Sequence, residues 1–345
     1  MRNLFVLHTQ YNLLLATGLC RTCLVKDQNA LILFKDFDFT KIHMDCIKDI
    51  YEETLILQGN YPKKEHSYRE KNKRIFEQNE SIYNFVQIHE KYDQIFIIED
   101  MCIQEMCTMK YVYQKNRRVI MNWLEDGAIA YFDNNTISGG MGATPIRRFI
   151  RKEYFCLKYN LFGVYYLGNC MGSNPLLKNV YVLFPKCVRQ ELSNKMICEI
   201  SQESFRKGME LLFKGDSISF EDESVILILD RLDVYANLLQ NVDAYIKKII
   251  FEARREKKRV YYKYHPRETK YLKSLDSAEE LNRSLALEAY LTNSTTDKLT
   301  IVGFKSTALQ TAKKMGYETI SYIKQLEPDN TQISDFYESI GIICK

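Results

Sequence analysis

The strongest constraint on this chain is a set of strand-length apolar runs, each followed by a longer amphipathic or polar segment. They are "LFVLH" (Leu4–His8), "ALILF" (Ala30–Phe34), "TLILQG" (Thr54–Gly59), "QIFIIE" (Gln94–Glu99) and "RVIMNW" (Arg118–Trp123). Runs that are continuous rather than alternating belong to strands covered on both faces, so they imply a parallel sheet between helices. The rhythm restarts with "SVILILD" (Ser224–Asp230), "RVYYKYHP" (Arg259–Pro266), an expected helix around Ala278–Tyr290, "KLTIVGF" (Lys298–Phe304) and "ETISYI" (Glu318–Ile323). Glycine-rich turn strings, "GGMGATP" and "LGNCMGSNP", separate the two series. The expectation is α/β: two Rossmann-like domains, 1–175 and 176–345, facing across a cleft at the carboxyl ends of their strands, where open α/β sheets bind ligands. A length of 345 residues suits two such domains.

Apolar residues make up 46% and charged residues 27%, which argues against disorder and fibrous folds. "MRNLFVLHTQ" reads as a first strand rather than a signal peptide, and no apolar run approaches the ~20 residues of a membrane span. The expected location is cytoplasmic. The ten cysteines are scattered, and the pairs Cys20/Cys23 and Cys102/Cys107 lack a second pair or histidine cluster, so they read as packing residues and no metal site is expected. Eleven Lys/Arg against three Glu fall between Lys247 and Lys273, and "RRFIRK" (Arg147–Lys152) adds four bases. Such patches favour phosphates or an anionic membrane face, with ~1 kcal/mol per basic residue for weak peripheral attachment at the inner side of the membrane. Nucleic acid is disfavoured, because the 24 tyrosines follow no recognition motif.

Three short motifs fall where strands end. His265-Pro266 closes a strand, and the proline keeps His265 extended so that its imidazole projects at the strand's carboxyl end. In "GFKSTALQTAKKMG", Gly303 ends a strand and Ser306-Thr307 start a helix; hydroxyls and free N–H groups there suit a phosphate, or simply cap the helix. In "NWLEDGAIAY", Glu125 and Asp126 precede Gly127, and one of them could serve as a general base with a raised pKa, or as a helix cap. Asp230, Asp233 and Asp243 are further candidates for a base.

"EDG", "HP" and the paired Ser/Thr, in this order, resemble motifs of bacterial sialyltransferases, the group of lipooligosaccharide sialyltransferases and capsule polysialyltransferases. "LHTQYNLLLA" (Leu7–Ala16) is similar to that group's opening strand, loop and helix. The resemblance runs from residue 7 to about 322. It implies a GT-B fold and transfer of sialic acid from CMP-sialic acid to a glycan acceptor, with inversion and without metal or cofactor. On that reading Glu125 or Asp126 deprotonates the acceptor, and His265 assists the departing phosphate. Lys263, Pro266, Gly303, Ser306 and Thr307 join His265 at the donor, Thr9 and Gln10 lie on the acceptor side, and a homodimer is compatible. The alternatives are another nucleotide sugar, a CMP-ulosonic acid or nucleotide-diphosphate hexose, and a non-catalytic glycan- or nucleotide-binding partner.

Overall fold

A computed structural model describes residues 1–59, 67–132, 145–168, 170–213, 220, 223–235, 238–266, 268–292, 294, 298–329 and 331–345. The string 139–144 and the start of an expected polar helix at Lys63–Glu80 therefore lie outside the described residues. The chain forms two compact units, Met1–Leu212 and Phe213–Lys345.

The first unit contains β1 (Arg2–Leu7), α1 (Gln10–Cys20), β2 (Gln28–Lys35), α2 (Met44–Ile50), β3 (Glu53–Gln58), α3 (Tyr68–Ile88), β4 (Gln94–Ile97), α4 (Ile103–Lys115), β5 (Ile120–Leu124), α5 (Pro145–Tyr159), β6 (Leu177–Val182), β7 (Met196–Glu199) and α6 (Gln202–Leu212). Its strands lie in the order β3-β2-β1-β4-β5-β6-β7, and each pairing is parallel. This is the doubly wound order whose direction reverses beside β1, so ligand chemistry belongs at the carboxyl ends of β1 and β4. Leu4 to Leu7 and Leu31 to Phe34 are wholly buried, as expected of runs covered on both faces.

The domain boundary differs from the expected 175/176 junction, because β6, β7 and α6 all belong to the first unit. The string "LGNCMGSNP" is a crossover within that unit rather than a linker. Asp100 accepts the amides of Gly172 (3.0 Å) and Asn174 (2.9 Å). Gly172 has φ +78°, and a Cβ there would stand 2.7 Å from the Trp123 ring. Turn residues mark a change of chain direction, and that signal is the same for a linker and for a packed crossover.

The second unit contains β8 (Val225–Ile228), α7 (Leu239–Arg255), β9 (Val260–Lys263), β10 (Glu279–Glu280), α8 (Leu287–Thr292), β11 (Thr300–Gly303), α9 (Thr307–Met315), β12 (Glu318–Ser321), α10 (Ile323–Leu326), α11 (Thr331–Ser339) and β13 (Ile343–Cys344). The parallel order β10-β9-β8-β11-β12-β13 repeats the doubly wound pattern. Leu227, Tyr262, Val302 and Phe304 pack with Ile246 and Ile250 of α7 in its core. The helix expected around Ala278–Tyr290 is replaced by β10, a turn and α8. Glu279 and Glu280 pair with Tyr261 and Tyr262, and Asn282 turns the chain by accepting the Ser284 amide through its side chain. Strand pairing there outweighs the helix preference of "SAEEL".

Candidate active site

In the first unit, the carboxyl ends of four neighbouring strands each deliver an ionisable side chain. His8 follows β1, Asp36 follows β2, Glu99 follows β4, and Glu125-Asp126 follow β5. His8 is buried, stacks on Phe34 at 4.3 Å, and approaches Glu105 (2.7 Å) and Asp36 (3.5 Å). Burial alone would depress its pKa, but the Asp36 and Glu105 carboxylates outweigh burial and raise it to about 10. His8 is therefore an imidazolium at neutral pH. Glu105 is further fixed by the amides of Ile98 and Glu99, both at 2.9 Å. Burial pushes Glu99 up to about 7; His8 opposes the shift, and Glu105, Asp126 and Asp36 add to it.

Glu125 and Asp126 differ in kind. Glu125 is wholly buried; it accepts the hydroxyls of Tyr11 and Tyr131 and the Leu183 amide (2.8 Å), joining α1, β5 and the end of β6. Asp126 is only partly buried by its surface exposure, and Asn12 donates to its Oδ1 at 3.1 Å. Burial raises the Asp126 pKa, against the opposing effects of Asn12 and His8. The Asn12 amide is oriented by Thr9, whose amide (3.1 Å) and hydroxyl (2.7 Å) both face Asn12 Oδ1, leaving Nδ2 for Asp126. Thr9 is thus the N-cap of α1 in a reciprocal capping box, and Gln10 Nε2 reaches the Asp38 carbonyl at 3.5 Å.

In the second unit, β8 pairs with both β9 and β11, so the segments after these three strands are neighbours at one end of the sheet. His265, half-buried, and exposed Pro266 follow β9; the His265 carbonyl accepts the Glu268 amide at 2.9 Å and closes the turn. Glu268 holds this loop to the segment after β8 by accepting the amides of Leu232 (2.7 Å), Thr269 (2.8 Å) and Lys270 (2.7 Å). Burial would raise its pKa, but these amides, Lys270 first, hold it below the usual carboxylate range. Asp230 takes the Tyr235 hydroxyl and the Lys305 amide (3.1 Å), which joins the ends of β8 and β11.

Ser306 is the N-cap of α9 and accepts the Ala308 amide at 3.4 Å, while Thr307 is the partly exposed first helical residue. Gly303 ends β11 where a Cβ would meet the Ile228 carbonyl oxygen at 3.0 Å. Lys263 lies inside the domain, its ammonium 3.3 Å from the Arg283 carbonyl, and burial lowers its pKa to about 8. Asp233 pairs with Arg231, and Asp243 with Lys247 at 2.7 Å, both near the surface. Sequence reasoning missed the His8–Glu105–Asp36 cluster and the Glu268 clamp, and it named Asp230 only as a candidate base. A charged residue at or just after an apolar run was the available signal for His8, Asp36 and Asp230; Glu105, within α4, and Glu268, in the loop after β9, carried no such signal.

The architecture, two Rossmann-like domains, is that of GT-B transferases and related epimerases. The α/β-galactoside α-2,3-sialyltransferase of Photobacterium phosphoreum superposes with a TM-score of 0.57 at 11% identity, covering 99% of this chain and 98% of that one. A protein of Listeria monocytogenes assigned as a UDP-N-acetylglucosamine 2-epimerase gives 0.59 at 10% identity, covering 98% and 81%. The UDP-GlcNAc 2-epimerase of Methanocaldococcus jannaschii gives 0.56 at 12%, covering 100% and 89%. At these identities the likeness concerns the fold. No curated protein sequence matches the chain. The profile of the alpha-2,8-polysialyltransferase family matches residues 3–322, so the chain belongs to that family and is a glycosyltransferase of the sialyltransferase class.

Proposed function

We propose that this protein transfers sialic acid from CMP-sialic acid, with inversion, to a hydroxyl of a sialylated bacterial surface glycan of the lipooligosaccharide or capsular type. The acceptor oxygen bonds to the anomeric carbon as the bond from that carbon to the CMP phosphate oxygen breaks. The acceptor proton passes to Asp126, and CMP leaves as the phosphate monoester. His265, Ser306 and Thr307 bind the phosphate as its charge grows, an electrostatic task suited to a cation and oriented donors.

The observation that carries this reading is the contrast at Glu125-Asp126 within a chain of the polysialyltransferase family. Of the two, Asp126 is the partly exposed carboxylate and burial raises its pKa, properties suited to a base that must meet a hydroxyl; Glu99 shares both, and Asp126 is preferred for its place in the "EDG" string. Glu125 already accepts three donors and is sealed from solvent.

The test is CMP release from CMP-sialic acid with no acceptor, with a galactose-terminated acceptor and with a sialylated one. Release should rise most with the sialylated acceptor and fall by about 100-fold in His265→Ala. Absence of both CMP binding and CMP release in the wild type would overturn the donor assignment.

A further inference from the structure

The carboxylates around the ends of β1, β2, β4 and β5 have donors, with Glu99 the exception. His8 serves Asp36 and Glu105, Asn12 serves Asp126, Glu125 takes Tyr11, Tyr131 and the Leu183 amide, and Asp100 takes the Gly172 and Asn174 amides. The Glu99 backbone is fixed, its amide donating to Glu105 at 2.9 Å and its carbonyl accepting the Cys102 amide at 2.8 Å. Among the described residues no donor stands within hydrogen-bond distance of its side-chain carboxyl. The groups that face it are His8 after β1, Asp36 after β2, Cys102 and Glu105 of the α4 segment, and Asp126 after β5. His8 is the only cation of that set. Burial, opposed by His8 and aided by Glu105, Asp126 and Asp36, keeps the Glu99 proton to about pH 7. A carboxyl group held neutral in this way has an O–H to give.

Strand β4 pairs with both β1 and β5, so Glu99 follows the strand next to that of Asp126, and both side chains are partly exposed. A hydroxyl delivered to Asp126 brings the sugar that carries it up to Glu99. On a sialylated acceptor that sugar bears a carboxylate of its own, which ionised Glu99 would repel. We propose that Glu99, as a neutral carboxylic acid, donates a hydrogen bond to the carboxylate of the acceptor's terminal sugar and so selects an acidic acceptor. The assignment rests on the proposed function and names the residue that recognises its acceptor. Loss of the proton removes the donor and adds a like charge, so acceptor affinity is highest below pH 7 and falls as pH rises through it.

The test is calorimetric titration of the full chain with an α-2,8-linked sialic acid oligosaccharide and with a galactose-terminated one. Between about pH 6 and about pH 8 the protonated fraction of Glu99 falls from roughly 0.9 to roughly 0.1, so wild-type affinity for the sialylated ligand should drop about ten-fold. The galactose-terminated ligand should show no such drop. Glu99→Gln, which keeps a donor and cannot ionise, should bind the sialylated ligand at both pH values as the wild type does at the lower one. Glu99→Ala should be equally independent of pH and about ten-fold weaker, for want of the hydrogen bond. A wild-type affinity that does not change with pH, a drop shared by the galactose-terminated ligand, or a drop that persists in Glu99→Gln would overturn the assignment. Equal affinities of the Gln and Ala variants would overturn it too. The wild-type comparison stands even if a variant fails to fold, and CMP release by the wild type at the lower pH tests the donor reading separately.

Discussion

Successive extended residues point to opposite sides, and at the end of β5 that alternation sends Glu125 toward Tyr11, Tyr131 and Leu183 while Asp126 meets Asn12. The "EDG" string announced a pair of carboxylates but could not divide their labour, because the dividing partners come from α1 and from the end of β6. The same holds for His8, whose charge depends on Asp36 and on Glu105, 97 residues further on. These groups set a pH dependence whose sign is fixed. Glu99 keeps its proton to about pH 7 in the fold against an ordinary value of 4.5, and His8 to about 10 against 6.5. The folded chain therefore binds the extra protons, and stability falls as pH rises through 4.5–7 for Glu99 and through 6.5–10 for His8. Thermal unfolding of the wild type should show a declining Tm across the upper window. His8→Ala should lower stability by about 3–5 kcal/mol at neutral pH, because buried carboxylates lose their counterion, and should flatten that decline. An unchanged slope in the variant would contradict the imidazolium assignment.

Elements whose burial is two-sided were readable because an uninterrupted apolar run has few other uses; β1, β2, β4, β5, β8, β9 and β11 all fall on expected runs, and the more exposed β3 and β12 do so as well. The shorter or more exposed strands β6, β7, β10 and β13 were not readable. "LKNVYV" and "MICE" mix polar with apolar residues, and β10 and β13 are two residues long. Helix packing leaves a clearer trace. A Cβ on Gly18 would stand 2.0 Å from the Ser204 carbonyl oxygen, and one on Gly208 would stand 2.2 Å from that of Leu14. Helices α1 and α6 therefore meet backbone to backbone, and since α1 also supplies Asn12 and Tyr11, their contact supports the site. Gly208→Ala should destabilise the chain by roughly 1–3 kcal/mol or more, as overpacking does where neither helix can yield. Denaturant unfolding would measure it, and a change within error would show that the helices can separate.

At the scale of the whole molecule, the two-domain α/β plan was legible, and the boundary was not. Gly172, fixed by its contacts to Asp100 and Trp123, looks in a sequence like the glycine of a linker. A fragment of residues 1–212 should fold cooperatively and resist proteolysis, whereas 1–175 should not, because it lacks β6, β7 and the helix that packs on α1. The "EDG" string lies in the unit ending at Leu212, and "HP" and "ST" lie in the other, so each half of the proposed chemistry is carried by its own compact unit.

The most direct measurement is the kcat for sialyl transfer in Asp126→Asn and in Glu125→Gln, each shown to be folded and to bind CMP. Asp126→Asn should lose about 100- to 10,000-fold in kcat with CMP affinity unchanged, the range for a missing general base. Glu125→Gln should lower the Tm while retaining most of its turnover. The reverse result, an active Asp126→Asn beside a folded but inactive Glu125→Gln, would contradict the account.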